Sequence, residues 1–328
     1  MPVMNVPSSK AAQTGYGHES ANWILIGLVM AVMVPLQLYD PFSLAPKSLM
    51  IPAIFCVILH FVSKFYRYVR NRADLAAMFI AIMHMILFTA LGSALSYMLA
   101  ARGGTLWDGT YQKWDLALGF NWLNYLHWVD QYPLLVKIYS LAYQSLIPQI
   151  IILVCGLGFT GRVRQMRASI FAAMLCGLVI ILISPFMAAV SNFVFLNIEP
   201  GEFANINPSA GWVHLDHFCG LRNGSLRMID ITTAEGIITF PSYHAGLAMV
   251  TLCGFWSIPG LRVVGVPIAV LTILATPVDG GHYLVDVIAG GLIAVLSVIA
   301  AKYAVGFNSA RWFNRFNRLP IGQSPQLQ

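Results

Sequence analysis

Three residues late in the chain, His244, His282 and Asp286, have the types and spacing that proton and group transfer require. His282 and Asp286 lie four residues apart, so a helix would place both on one face. Asp286 falls within an otherwise apolar run, where a carboxylate needs a partner. Its best local partner is a ring nitrogen of His282. Such a bond fixes the imidazole tautomer, raises its basicity and leaves the other nitrogen free to attack. Gly280 and Gly281, just before this histidine, permit tight backbone geometry or close approach to an oxyanion.

His244 closes the segment Thr239-Phe240-Pro241-Ser242-Tyr243-His244, which opens an apolar run. Proline is natural at a helix start because the first amides have no intrahelical partner. Those amides and the helix dipole favour an anion, and Ser242 adds a hydroxyl donor. If the two histidines face each other, one can attack phosphorus while the other protonates the departing oxygen. The resulting phosphohistidine is then discharged by water or another acceptor. Cations must hold the nonbridging oxygens, and Arg222 and Arg227 are the expected phosphate-binding arginines, beside Ser242 and Gly281. The residues alone leave two other readings open. The histidines could be a buried pair that joins helices, or His214, Asp216, His217 and His244 could be assembled as metal ligands, although no spacing compels it.

The elements that must position these residues are membrane spans. Of 328 residues, 58% are hydrophobic and 10% charged, with mean hydropathy +0.72; soluble domains carry about 25% charged residues. Apolar runs cover roughly 23–39, 48–65, 74–100, 133–158, 169–197, 242–258, 261–278 and 282–306. Backbone groups in lipid must bond internally, so the runs should be helices. The expected fold is all-α, a polytopic bundle of about eight transmembrane helices. A re-entrant hairpin around Pro259-Gly260 is the alternative to two full crossings there.

With both termini inside, 13 of the 19 basic residues fall on the cytoplasmic side and 11 of the 13 acidic residues on the other, in agreement with the positive-inside rule. This placement accounts for most of the +6 net charge, so no nucleic-acid partner is expected. Both histidines then lie at the extracytoplasmic ends of their helices. The expected location is a bacterial inner membrane. The five cysteines are scattered, with no disulfide framework or thiolate cluster. The N-terminus lacks the charged start and cleavage site of a signal peptide. The first run is therefore expected to be a retained span.

Two extracytoplasmic segments stand out. Residues 103–132 interleave tryptophans and tyrosines with acids, as an interfacial amphipathic helix or helical hairpin would. The segment could admit lipid or simply anchor and cap the bundle. Residues 197–240 form the longest polar loop.

Pro241-Ser242-x-His244 and Gly280-x-His282-Tyr283-x-x-Asp286 resemble the type 2 phosphatidic acid phosphatase (PAP2) superfamily, with most likeness to the branch containing inositol phosphorylceramide synthases. The resemblance covers about residues 130–306. It implies that His244 is the general acid, His282 the nucleophile and Asp286 its partner. It also implies a six-helix catalytic core and no metal or organic cofactor. Two features depart from the family pattern. Ala275 and Thr276 stand where a Ser-Arg pair is usual, and the lysine-to-Arg-Pro motif is absent. The stretch Leu221-Arg222-Asn223-Gly224 and Arg227 look like the loop of the phosphotransferase-like branch. The expected organisation is an N-terminal tail with two accessory spans (1–72), a PAP2-like catalytic membrane domain (73–306) and a cytoplasmic basic tail (307–328). The substrate implied is a phosphorylated membrane lipid, with water or an alcohol as acceptor. Hydrolysis is the broader expectation and head-group transfer its rival. A noncatalytic transporter or scaffold of the same fold is the alternative of a different class.

Overall fold

Apolar runs that cannot hydrogen-bond to lipid must satisfy their own backbones, and here they coil. The computed structural model describes residues 9–305, with side chains from residue 21 onward except Ser209. The tail expected at 307–328 and the first eight residues lie outside the described residues. In chain order the helices are α1 (Ser9–Tyr39), α2 (Pro46–Tyr68), α3 (Ala73–Ala100), α4 (Asp108–Ala117), α5 (Trp122–Asp130), α6 (Pro133–Gln144) and α7 (Leu146–Phe159). They continue as α8 (Val163–Ile183), α9 (Asn192–Phe195), α10 (Leu215–Asn223), α11 (Tyr243–Trp256), α12 (Pro259–Asp279) and α13 (Leu284–Ala304). Two short strands, β1 (Ser43–Leu44) and β2 (Met228–Ile229), pair in parallel. They tie the α1–α2 turn to the long loop, and Lys47 reinforces the tie through a 2.7 Å ion pair with Asp230.

Against about eight crossings expected, six helices among the described residues are long and apolar enough to span a membrane, or seven when α6 and α7 count as one bent span. The bend is 55°. Pro148 sits in the first turn of α7 and cannot donate an amide back to α6, which breaks the continuous run at Ser145. The run expected at 242–258 forms α11, only 14 residues long. At about 1.5 Å per residue it is about 21 Å long, short of a hydrocarbon layer of about 30 Å. The run expected to reach 197 stops as a helix at Ile183, followed by a 3₁₀ turn through Pro185. A separate six-helix core is not marked off. Leu25, Ile26 and Val29 of α1 belong to the same buried cluster as residues of α3, α7, α8, α11 and α13.

The outer surface has the polarity that lipid demands. On α2, Met50, Ile54, Phe55, Ile58 and Phe61 are all more than half exposed, an arrangement water would penalise and lipid does not. Inside the bundle, small residues let helices approach closely. A Cβ on Gly290 of α13 would collide with the Ser242 carbonyl at the start of α11, and one on Gly246 would meet the Gly290 carbonyl at 3.1 Å. Polar side chains join α7 to α12, where Gln149 Nε2 donates to Thr272 Oγ1 at 2.8 Å. The result is a bundle in which α11 and α13 start side by side at one end.

Candidate active site

The start of α11 is set by Ser242. Its hydroxyl oxygen caps the helix by accepting from the Ala245 amide at 3.3 Å. Its own amide donates to the Asp286 carbonyl on α13 at 3.1 Å, a bond possible only because Gly290 lets the two helices touch. This crossing carries Ser242 to His282, with Ser242 Oγ 3.3 Å from His282 Nε2.

His282 lies in the short turn before α13. Asp286, fully buried in the first turn of that helix, accepts the Tyr283 amide at 2.9 Å with Oδ2. The same oxygen is 3.3 Å from His282 Nδ1. A carboxylate there accepts a hydrogen bond from Nδ1–H, so the lone pair falls on Nε2, the nitrogen beside Ser242. The serine hydroxyl, whose oxygen already accepts from the Ala245 amide, can donate its proton to Nε2. Burial pushes the His282 ring below the ordinary imidazole range, which favours the neutral, nucleophilic form.

A second layer holds this turn in place, and it comes from the aromatic segment. Residues 108–130 form two short helices, α4 and α5. Asp108 and Asp115 lie seven residues apart on α4 and are buried. Asp115 accepts the Leu284 and Val285 amides at 2.8 and 3.0 Å, capping α13 from another helix. Asp108 accepts from the Tyr283 hydroxyl at 2.9 Å and from the Val190 amide at 3.0 Å. Burial raises both carboxyls, opposed by these donors. Trp122 of α5 donates to the Pro277 carbonyl at 2.9 Å, near the other end of the turn. The sequence reading missed these residues; two acids at helical spacing in an otherwise aromatic segment were the available signal.

His244 is the second residue of α11. Its ring stacks on Tyr143 of α6, centroids 4.4 Å apart and planes 8° from parallel. The two histidines line one cavity of about 390 Å³, together with Tyr143, Tyr243, Thr239 and His214. Its lining includes apolar Phe88, Ile180, Ile181 and Ile238, with Ser93, Ser96 and Glu235 among the further polar members. His214 Nε2 lies 2.9 Å from the Val190 carbonyl, which Thr239 Oγ1 also approaches at 3.0 Å. His214 therefore packs on the 187–191 segment. Among the described residues no three His, Cys, Asp or Glu side chains converge in metal-ligating geometry.

The expected phosphate-binding residues fall in different places. Ser242 stands at the nucleophile. Gly280, rather than Gly281, lines the cavity, and a Cβ there would lie 2.7 Å from the His282 ring and 2.8 Å from the Tyr143 hydroxyl. Gly281 has φ +63° and packs on Phe193 and Ser191, where a side chain would clash. Arg222 donates to the Gly104 carbonyl and stacks on Phe218. Arg227 donates to the Leu221 and Leu226 carbonyls, pairs with Asp40 at 3.4 Å and covers Phe42. Neither arginine lines the cavity that holds the histidines. The backbone offers another anion donor. Asp115 and Asp286 occupy the first amides of α13, whereas the Tyr243 and His244 amides of α11 start a helix at the cavity wall, without intrahelical partners.

With this geometry in view, comparison with known families is decisive for kinship. Residues 110–300 match the PAP2 superfamily, more than half of the chain. The chain belongs to the PAP2 superfamily. That membership is broadly associated with lipid phosphatase and phosphotransferase activity, and the matched residues take in α4 from Thr110 onward, α5 and both histidines. No curated protein and no solved structure gives a significant match.

Proposed function

We propose that this PAP2 protein is a metal-independent membrane lipid phosphatase that works through a phosphohistidine at His282. The observation that carries the reading is the buried series Asp286–His282–Ser242, opening on a cavity that also holds His244. The apolar part of the lining suits an acyl or prenyl chain, and the polar groups beside His282 and His244 suit the phosphoryl group.

In the first step His282 Nε2 attacks phosphorus, the bond from phosphorus to the lipid oxygen breaks, and His244 gives that oxygen a proton. Burial also holds the His244 ring below the ordinary imidazole range, and the negative charge of the bound phosphate favours its protonated form. Asp286 stabilises the charge that develops on the ring. In the second step water attacks the phosphohistidine, the P–N bond breaks, and His244 takes up the water proton. The α11 amides and the Ser242 hydroxyl hold the nonbridging oxygens. Arg222 and Arg227 could join them only by giving up their present carbonyl and Asp40 contacts. The charge asymmetry of the loops supports a site on the extracytoplasmic face of a bacterial inner membrane.

The second reading is phosphotransfer to an alcohol, supported by motif likeness to the inositol phosphorylceramide synthase branch and by a second cavity that also has His244 in its lining. The test is product analysis with purified protein. Phosphatidate, prenyl phosphates and phospholipid donors are supplied with and without alcohols. Inorganic phosphate as the main product supports hydrolysis, whereas a phosphorylated alcohol at low acceptor concentration would replace hydrolysis with transfer. A noncatalytic transporter or scaffold of this fold would yield neither product, and its cellular role would survive His282→Ala.

A further inference from the structure

The cavity that holds the two histidines also contains a carboxylate that the phosphoryl chemistry does not use. Glu235 stands in its lining, half-buried, between Ala234 and Gly236. Its hydrogen bonds run through the backbone. The amide donates to the Tyr97 hydroxyl at 2.7 Å, and the same hydroxyl lies 3.3 Å from the Glu235 carbonyl. Tyr97 is buried on α3, and its hydroxyl also meets His217 Nδ1 of α10 at 2.7 Å. These contacts fix the backbone of Glu235 and leave its carboxylate uncommitted. Among the described residues the carboxylate pairs with no Lys or Arg, although it opposes the lowering of the His214 ring by burial, as a close neighbour does.

The charge balance of the cavity is one-sided. Its lining holds no Lys or Arg, yet it must take a phosphate beside Glu235. A substrate with negative charge alone would meet a like charge in a half-buried place, where screening is weak. A substrate that brings its own cation turns the same carboxylate into a partner. Ser93 and Ser96 of α3 line the cavity too. Ser93 lies four residues before Tyr97, on the helix face that meets Glu235. Ser96 Oγ donates to the Ser93 carbonyl at 2.8 Å, so its oxygen is left to accept. An ammonium has three donors and no acceptor, which matches a carboxylate flanked by hydroxyl oxygens.

We propose that Glu235 sets substrate choice by binding a free ammonium group on the lipid, so that the preferred substrate is an amino-bearing lipid phosphate. This selectivity rests on the phosphatase reading, in which the phosphoryl group sits at His282 and the lipid leaves as an alcohol. Glu235 takes part in no bond that forms or breaks; the ammonium stays on the departing alcohol. Phe88, Ile180 and Ile181 in the same lining suit its alkyl chain.

The test uses the full chain in detergent with three synthetic phosphomonoesters. One is dodecyl phosphate with an amino group on the carbon beside the phosphate-bearing one. The others are its N-acetyl amide and plain dodecyl phosphate. At neutral pH, where the amine is charged, wild type should favour the amino ester over both others about tenfold in kcat/KM, mostly through KM. Glu235→Gln should remove that preference, lowering kcat/KM for the amino ester about tenfold while the plain ester is hydrolysed faster. The backbone contacts of residue 235 survive this change. If the variant nevertheless fails to fold, Glu235→Ser is read by the same ratio. Equal kcat/KM for the three esters in wild type, or a preference that persists in a folded variant, would overturn recognition by Glu235; phosphate release with label on His282 would still uphold the phosphatase reading. Absence of both phosphate and labelled His282 with every ester would remove the two together.

Discussion

At the scale of single residues, the site depends on one carboxylate oxygen that both caps α13 at Tyr283 and faces His282 Nδ1. Asp286→Asn keeps the cap acceptor but can present an amide to Nδ1, which favours the wrong tautomer. Turnover should fall about 10²–10⁴-fold with the fold intact, measured as kcat beside a thermal unfolding curve. A fall under tenfold would remove Asp286 from this role. The pH profile follows from burial. His282 is held below the ordinary imidazole value of about 6.5, and only the neutral ring attacks. Activity should therefore persist as pH drops through 6.5 and fall as pH drops through the lower, folded-state value. The unfolded ring binds its proton more tightly, so acidification below about 6.5 also destabilises the fold. An acid limb of kcat/KM at or above 6.5, with a donor that does not titrate there, would contradict the burial argument. The His282–Asp286 pair was legible because its four-residue spacing is local, although His282 sits in the turn before α13 and not on the helix face expected. Asp108 and Asp115 were not, because they reach Tyr283 and the α13 amides from far earlier in the chain.

At the scale of elements, catalysis depends on the contact between the starts of α11 and α13. Gly290→Val would push a side chain into the Ser242 carbonyl. Overpacking of this kind costs about 1–3 kcal/mol, and here it also separates Ser242 from His282. Both lower thermal stability and a loss of turnover are expected; normal turnover would show that the crossing does not set the site. Asp115→Ala frees two α13 amides and should cost about 1–2 kcal/mol of stability, with partial rescue by Asn. The apolar runs were legible as helices from composition. The break at Ser145 and the short length of α11 were harder to read, because Pro148 lies inside an unbroken apolar stretch and Trp256 ends its helix without a charged residue. The exchange of Arg222 and Arg227 from clamp to loop contacts has the same origin. Their partners Gly104 and Asp40 belong to distant segments. Arg227→Ala is accordingly expected to loosen the loop while turnover stays within a few-fold, read by limited proteolysis beside activity.

At the scale of the whole molecule, the proposed orientation of the bundle rests on loop charge. The cavity opens at the end where α3 and α8 finish and α11 and α13 begin. Arg72 and Arg162 sit at the opposite end, before α3 and α8. Cys219 on α10 is an exposed thiol on the cavity side, while the other four cysteines are half-buried or buried. A membrane-impermeant maleimide should therefore label Cys219 in intact cells or right-side-out vesicles. Labelling only in inverted vesicles would place the site in the cytoplasm and reverse the orientation. Composition and loop charge were enough to predict a membrane bundle. Loop charge could not supply the number of crossings: the bend at Ser145 leaves every loop on its side, whereas an α11 of 14 residues that stopped short would change the side of the loops after it.

The most direct measurement of the central claim is acid-quenched trapping of the covalent intermediate with a labelled lipid phosphate. Wild type should carry phosphate on His282, recovered in the peptide containing that residue and stable to base but not to acid. His282→Ala should carry none, while His244→Ala should form the adduct slowly. A label of equal intensity in His282→Ala, or its recovery on another residue, would contradict the account.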